Sequence, residues 1–89
     1  MSSNFGKEMR PMTRRLGFVL RQHRIRLRLS LGTVASAAGI TPLALHNLET
    51  GKTSSRSDTY ERVAEAMGLE YVMITLEAHL LAQREDNLL

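Results

Sequence analysis

At 89 residues the chain suits one small domain, because a second core could not bury enough apolar area to offset its ordering entropy. Its 43% hydrophobic content is ordinary for a globular protein, and with Phe5, Phe18, Tyr60 and Tyr71 as the whole aromatic complement the core must be aliphatic, the kind often completed by pairing two chains. The absence of cysteine excludes disulfides, thiolate metal sites and cysteine nucleophiles and fits a reducing cytoplasm.

No apolar run approaches the roughly 20 residues of a membrane span. The basic N-terminus lacks the apolar stretch that a secretory signal requires behind it. Charge is distributed unevenly. Before Leu31 stand Lys7, Arg10, Arg14, Arg15, Arg21, Arg24, Arg26 and Arg28 against a single Glu8, whereas from Leu31 onward four basic residues face eight acidic ones. Such asymmetry points to a polyanion partner on one side of the molecule; its plainer explanation is a solvated arginine-rich helix face.

In chain order, residues 1–12 lack periodicity and contain Gly6 and Pro11, so they read as a flexible arm. Thr13 is a candidate N-cap for a helix over 13–27, with Leu16, Val19, Leu20 and Leu27 on an apolar stripe. Ser30 can cap a second helix over 31–38. Gly39 then suits the left-handed residue at which a helix commonly ends. Thr41 caps a third helix and Pro42 takes its first position, where a missing N–H is no loss; this helix ends near Thr50 and Gly51. Residues 52–57 form a polar loop. Asp58, with Glu61 three residues on, reads as a capping box for a fourth helix over 59–67, whose stripe is Tyr60, Val63, Ala64 and Met67. Gly68 ends it.

Residues 69–76 are ambiguous. Leu69, Val72, Met73, Leu76 and Leu80 have the spacing of a fifth helix, yet Tyr71, Val72, Ile74 and Thr75 favour a strand directly after a glycine. We read a short strand. Its unpaired backbone groups would need an equivalent strand from a second chain, which makes Tyr71, Val72, Met73, Ile74, Thr75 and Leu76 the expected dimerisation residues and 70–89 a dimerisation strand with a tail.

Residues 30–52 organise the rest. Two short helices around a tight turn need a small residue at their closest approach and apolar residues facing the first helix. Ala35 is the small residue and Gly39 the turn, while Val34, Ala38, Ile40, Leu45 and Leu48 occupy inward positions. The fold class expected is all-α, with the helix-turn-helix domain over 13–69. The sequence here resembles the lambda-repressor and Cro-like helix-turn-helix family, also called the XRE family. The likeness covers Leu16, Leu20 and Arg24, Leu29 and Ser30, Val34 and Ala35, Gly39 and Ile40, the run from Leu48 to Lys52, and the run from Val63 to Leu69.

The resemblance implies a compact four- to five-helix domain that binds double-stranded DNA as a homodimer, with the third helix in the major groove. It further implies that Arg24 pairs with Glu49, locking the third helix to the first while offering a guanidinium edge to a phosphate. Where relatives carry glutamine at the start of the second helix, this chain has Leu31. Only backbone N–H groups near Ser30 and Leu31 remain for phosphate. The outward face of the third helix, Thr41, Pro42, Leu43, Ala44, His46 and Asn47, is unusually apolar. Asn47 could contact adenine bidentately and Leu43 or Ala44 a thymine methyl, so an A·T-leaning site is expected, with phosphate contacts from Lys52, Thr53, Ser54, Ser55 and Arg56.

The last segment is similar to the end of HipB-type antitoxins, which would imply a HipA-like kinase toxin as partner and repression of the chain's own operon. A free-standing repressor would look nearly the same. The rival reading keeps the fold but uses the apolar Pro42, Leu43 and Ala44 surface to meet a protein. His23, His46 and His79 are isolated, with no second ligand at metal spacing and no glycine-rich phosphate loop. No metal, cofactor or enzymatic activity is therefore expected.

Overall fold

The structure, a computed structural model, describes residues 5–87, with side chains from Met12 onward. Five helices follow one another: α1 (Phe5–Arg26), α2 (Leu31–Ala38), α3 (Pro42–Glu49), α4 (Ser57–Ala66) and α5 (Tyr71–Asn87), with no strand among the described residues. The core is aliphatic except for Tyr60. Leu16, Val19 and Leu20 of α1 meet Val34, Ala35 and Ala38 of α2, Leu45 and Leu48 of α3, Val63 and Ala64 of α4, and Ile74 and Ala78 of α5. Ile40, in the turn, packs half-buried against this cluster.

Several expectations are corrected. Of the proposed arm, residues 1–4 lie outside the described residues, and 5–12 continue α1 rather than leading up to a cap at Thr13. A segment need not carry an apolar stripe to propagate a helix already formed, and Lys7, Glu8, Met9, Arg10 and Met12 are good helix formers. At its other end α1 stops at Arg26, so Leu27 leaves the stripe and is exposed. Helix α4 begins at Ser57 with Arg56 at the cap position and no side-chain cap bond. Asp58 therefore stands inside the first turn, where its negative charge suits the helix dipole, and the capping box does not form.

The largest correction is the C-terminal strand. Residues 71–76 open a 17-residue helix. Tyr71, Ile74, Ala78 and Leu81 recur at helical spacing and pack on the core, and a helix satisfies its own backbone groups where a lone strand cannot. β-propensity is a weak, context-dependent preference that such packing overrides. Beyond the core, α5 is fastened to α1 by two side-chain contacts: Arg15 donates to Glu85 at 2.7 and 3.3 Å, and His23 Nε2 lies 2.8 Å from Glu77 Oε1.

Candidate nucleic-acid interface

Local chemistry fixes α2 and α3 in turn. The Ser30 hydroxyl oxygen accepts from the Thr33 N–H at 3.0 Å, satisfying one of the free donors at the start of α2. At the other end the N–H groups of Gly39 and Ile40 return to the carbonyls of Ser36 and Ala35, with Gly39 at φ 75°. Thr41 then accepts from the Ala44 N–H at 3.0 Å, with Pro42 at the first helical position. Leu45 and Leu48 are buried, so α3 can present only its opposite face outward.

That face holds the expected base readers. Thr41, Leu43, Ala44 and His46 are exposed, Leu43 at 68%, and Asn47 is half-buried. The lone pair Thr41 gives to its cap bond leaves the hydroxyl hydrogen free to donate. No hydrogen bond engages the Asn47 side chain among the described residues, leaving its amide able to form the bidentate contact that adenine offers.

Beneath this face α3 is locked to α1. Arg24 donates from Nε and Nη2 to the two carboxylate oxygens of Glu49, at 2.8 and 3.0 Å, and from Nη1 to the Leu29 carbonyl at 2.8 Å. Glu49 is the buried charged residue of the core, and the Arg24 side chain is 12% exposed. A bidentate pair so enclosed fixes geometry as well as charge. Because each guanidinium nitrogen already serves the protein, Arg24 positions α3 first, and little of it faces a phosphate.

Sequence reasoning missed the reason these helices come so close. Gly17 is buried in α1 where a Cβ would run into the Leu48 carbonyl oxygen. A glycine mid-helix, costly in intrinsic propensity, was the available signal.

The phosphate-contact candidates divide. Lys52 and Thr53 are exposed after the α3 terminus, which Gly51 closes at φ 76° with the Lys52 N–H returning to the Asn47 carbonyl at 2.9 Å. The Ser54 hydroxyl lies 3.3 Å from that of Thr13, and the Ser55 N–H donates to the Tyr60 hydroxyl at 3.2 Å, so these two residues hold the loop to the body. Arg56 is exposed but faces Asp58 at 3.3 Å. Their hydrogen bond keeps the Asp58 carboxyl below its usual range and raises the Arg56 pKa. Leu31 is half-buried against the core, leaving only its backbone for an anion. The six expected dimerisation residues are not gathered on one surface: Ile74 is buried, Tyr71 and Thr75 are half-buried, and Val72, Met73 and Leu76 are exposed. Among the described residues, no group of three or more His, Asp or Glu could hold a metal ion, and no helix is long and apolar enough to cross a membrane.

A family model described as a helix-turn-helix domain matches residues 15–74, a span that runs from the Arg15 turn of α1 into α5. The chain belongs to the helix-turn-helix domain family. Two crystal structures of the clp gene regulator ClgR from Corynebacterium glutamicum share this helix-turn-helix architecture. One is 29% identical with a TM-score of 0.74, the alignment covering 84% of each chain. The other is 28% identical with a TM-score of 0.72, covering 76% of this chain and 88% of ClgR. No curated protein matches the chain.

Proposed function

We propose that the protein is a sequence-specific DNA-binding transcriptional regulator of the XRE type, a repressor acting as a homodimer on an inverted repeat. The observation that carries this reading is the face of α3: Leu43, Ala44, His46 and Asn47 stand outward on a helix that is capped, buried on its other side and clamped by Arg24. The likeness to ClgR, a clp gene regulator, supports it. Lys52 and Thr53 supply phosphate contacts beyond the end of α3.

With the strand gone, the homodimer rests on another surface. Val72, Met73, Leu76 and Leu80 of α5 are 50–66% exposed, and Phe18 and Ile25 of α1 are 45% and 47% exposed. Phe18 and Leu80 line one groove between the two helices. Covering these exposed apolar side chains with a second copy is the burial that a symmetric interface would supply. The HipA-like toxin loses its support, since the likeness to HipB-type antitoxins lay in a strand that is a helix here.

Selection of bound sequences from a random DNA pool tests the function. Enrichment of a palindrome with half-sites about one helical turn apart, bound with steep salt dependence, is the expected outcome. Weak binding with no sequence preference at moderate salt would refute it. The rival, a module that meets a protein through helix α3, is favoured by one observation, the 68% exposure of Leu43. Leu43→Arg separates the two, because DNA binding would change its sequence preference and keep its phosphate component, whereas a protein contact would be lost.

A further inference from the structure

Four of the five helices end in the same hydrogen-bonded motif, in which the chain turns through one left-handed residue. In α2, α3 and α4 that residue is Gly39, Gly51 and Gly68, at φ 75°, 76° and 75°. In α1 it is Arg28. The Arg28 N–H reaches the Ile25 carbonyl at 3.0 Å and the Leu29 N–H reaches that of Arg24 at 3.1 Å, closing the turn as the glycines do, but with an arginine at φ 58°. It is the one non-glycine residue with positive φ among those described. A side chain is sterically disfavoured there, and strain of this kind gathers where a side chain is needed.

Nor does the arginine gain an ion pair in exchange. It is exposed, stands near Arg24 and Arg26 in sequence, and has no carboxylate partner among the described residues. The backbone next to it is nevertheless tied to the end of α3. The Arg24 guanidinium that grips Glu49, the last residue of α3, also holds the Leu29 carbonyl beside Arg28 at 2.8 Å.

We propose that Arg28 is a phosphate anchor: its guanidinium takes a backbone phosphate of the DNA beside the bases faced by α3 and so sets the seating of α3 in the groove. This rests on the DNA-binding reading above. A polyanion supplies the partner that the protein itself withholds from Arg28, and a contact to phosphate positions the protein without reading bases.

The test uses the full chain with Arg28→Gly and Arg28→Lys, a bound sequence taken from the random-pool selection, and two readouts, Tm and Kd as a function of salt. Glycine relieves the backbone, so Arg28→Gly should raise Tm by about 4 °C or more. The same variant should bind about three- to tenfold more weakly, with the slope of log K against log salt shallower by about 0.9 and base preferences unchanged. Arg28→Lys, which keeps the charge, should retain the slope. A higher Tm with Kd and slope equal to wild type would overturn the anchor, and so would weaker binding accompanied by a lower Tm, which marks a folding residue. Absence of salt-dependent DNA binding by the wild-type chain would instead bring down the DNA-binding reading and the anchor with it.

Discussion

Glu49→Ala offers the sharpest perturbation of the scaffold that presents α3. Glu49 is 4% exposed, and its carboxylate accepts two charge-assisted bonds from an arginine whose side chain is 12% exposed. Removing one partner of a buried pair leaves the other desolvated and unpaired, at a cost of about 3–5 kcal/mol. Arg24 keeps its bond to the Leu29 carbonyl and some contact with water, which places this site near the lower end, about 3 kcal/mol. For a domain of this size each kcal/mol lowers Tm by roughly 4–8 °C, so the expected drop is roughly 12–24 °C.

Thermal and urea unfolding followed by circular dichroism measure it. The double variant Arg24→Met with Glu49→Leu tests the cause, since replacing both charges by apolar groups of similar volume should recover most of the loss. A loss under about 1 kcal/mol for Glu49→Ala, within the range of surface pairs, would refute the reasoning. So would additive effects in the double variant, because independent residues cannot constitute a clamp.

Gly17→Ala should destabilise by about 3 kcal/mol, the upper end of overpacking costs, since the rigid Leu48 carbonyl cannot yield to a methyl as a side chain could; urea unfolding reads it. Thr41→Ala should cost about 1 kcal/mol through the lost cap at Ala44, and Thr41→Ser should restore it in the same assay. Leu76→Arg should yield a monomer by light scattering while leaving the helical content unchanged, because Leu76 is exposed on α5 and is not among the buried core residues. The hydrogen bond from Arg15, and then its charge and that of Arg14, hold the Glu85 carboxyl below its ordinary value of 4.5. The folded value is the lower one, so this contribution is present above pH 4.5 and disappears as pH falls through the folded value. Glu85→Gln should therefore flatten the pH dependence of stability in that acid range, by a small amount because the pair is exposed.

The helix-turn-helix unit was legible because it is specified locally. Ser30, Gly39, Thr41 and Pro42 each act on neighbours within a few residues, and the structure places each in the role its chemistry suggests. The packing positions of α2 and α3 were legible for the same reason, since a tight turn fixes which residues of the two helices can touch. The misreadings arose where distant partners decide. Asp58 lost the cap position to Arg56, and the loop that leads into α4 is tied to α1 through the Ser54 and Thr13 hydroxyls, 41 residues apart. Gly17 was passed over because its meaning depends on α3, some 30 residues downstream, and Arg28 because its conformation is set by a hydrogen-bonded turn that its own side chain does not announce.

The fifth helix shows what a stripe can and cannot say. The run Leu69, Val72, Met73, Leu76 and Leu80 has helical spacing, and the segment is helical, yet apart from half-buried Leu69 these residues face solvent while Tyr71, Ile74, Ala78 and Leu81 face the core. Helix α5 therefore has two apolar faces, and one packed domain can use only one of them. A surface helix normally turns a polar face to water, so the second apolar face is the residue pattern expected of a helix that packs twice, once within its own domain and once outside it. The strand reading had asked Val72, Met73 and Leu76 to join two copies through backbone bonds. As a helix the same three residues reach outward with side chains, so the proposed dimer would rest on apolar burial in place of a hydrogen-bonded ladder. The distinction is measurable, because a ladder would tolerate Leu76→Arg on an exposed face and a side-chain interface would not.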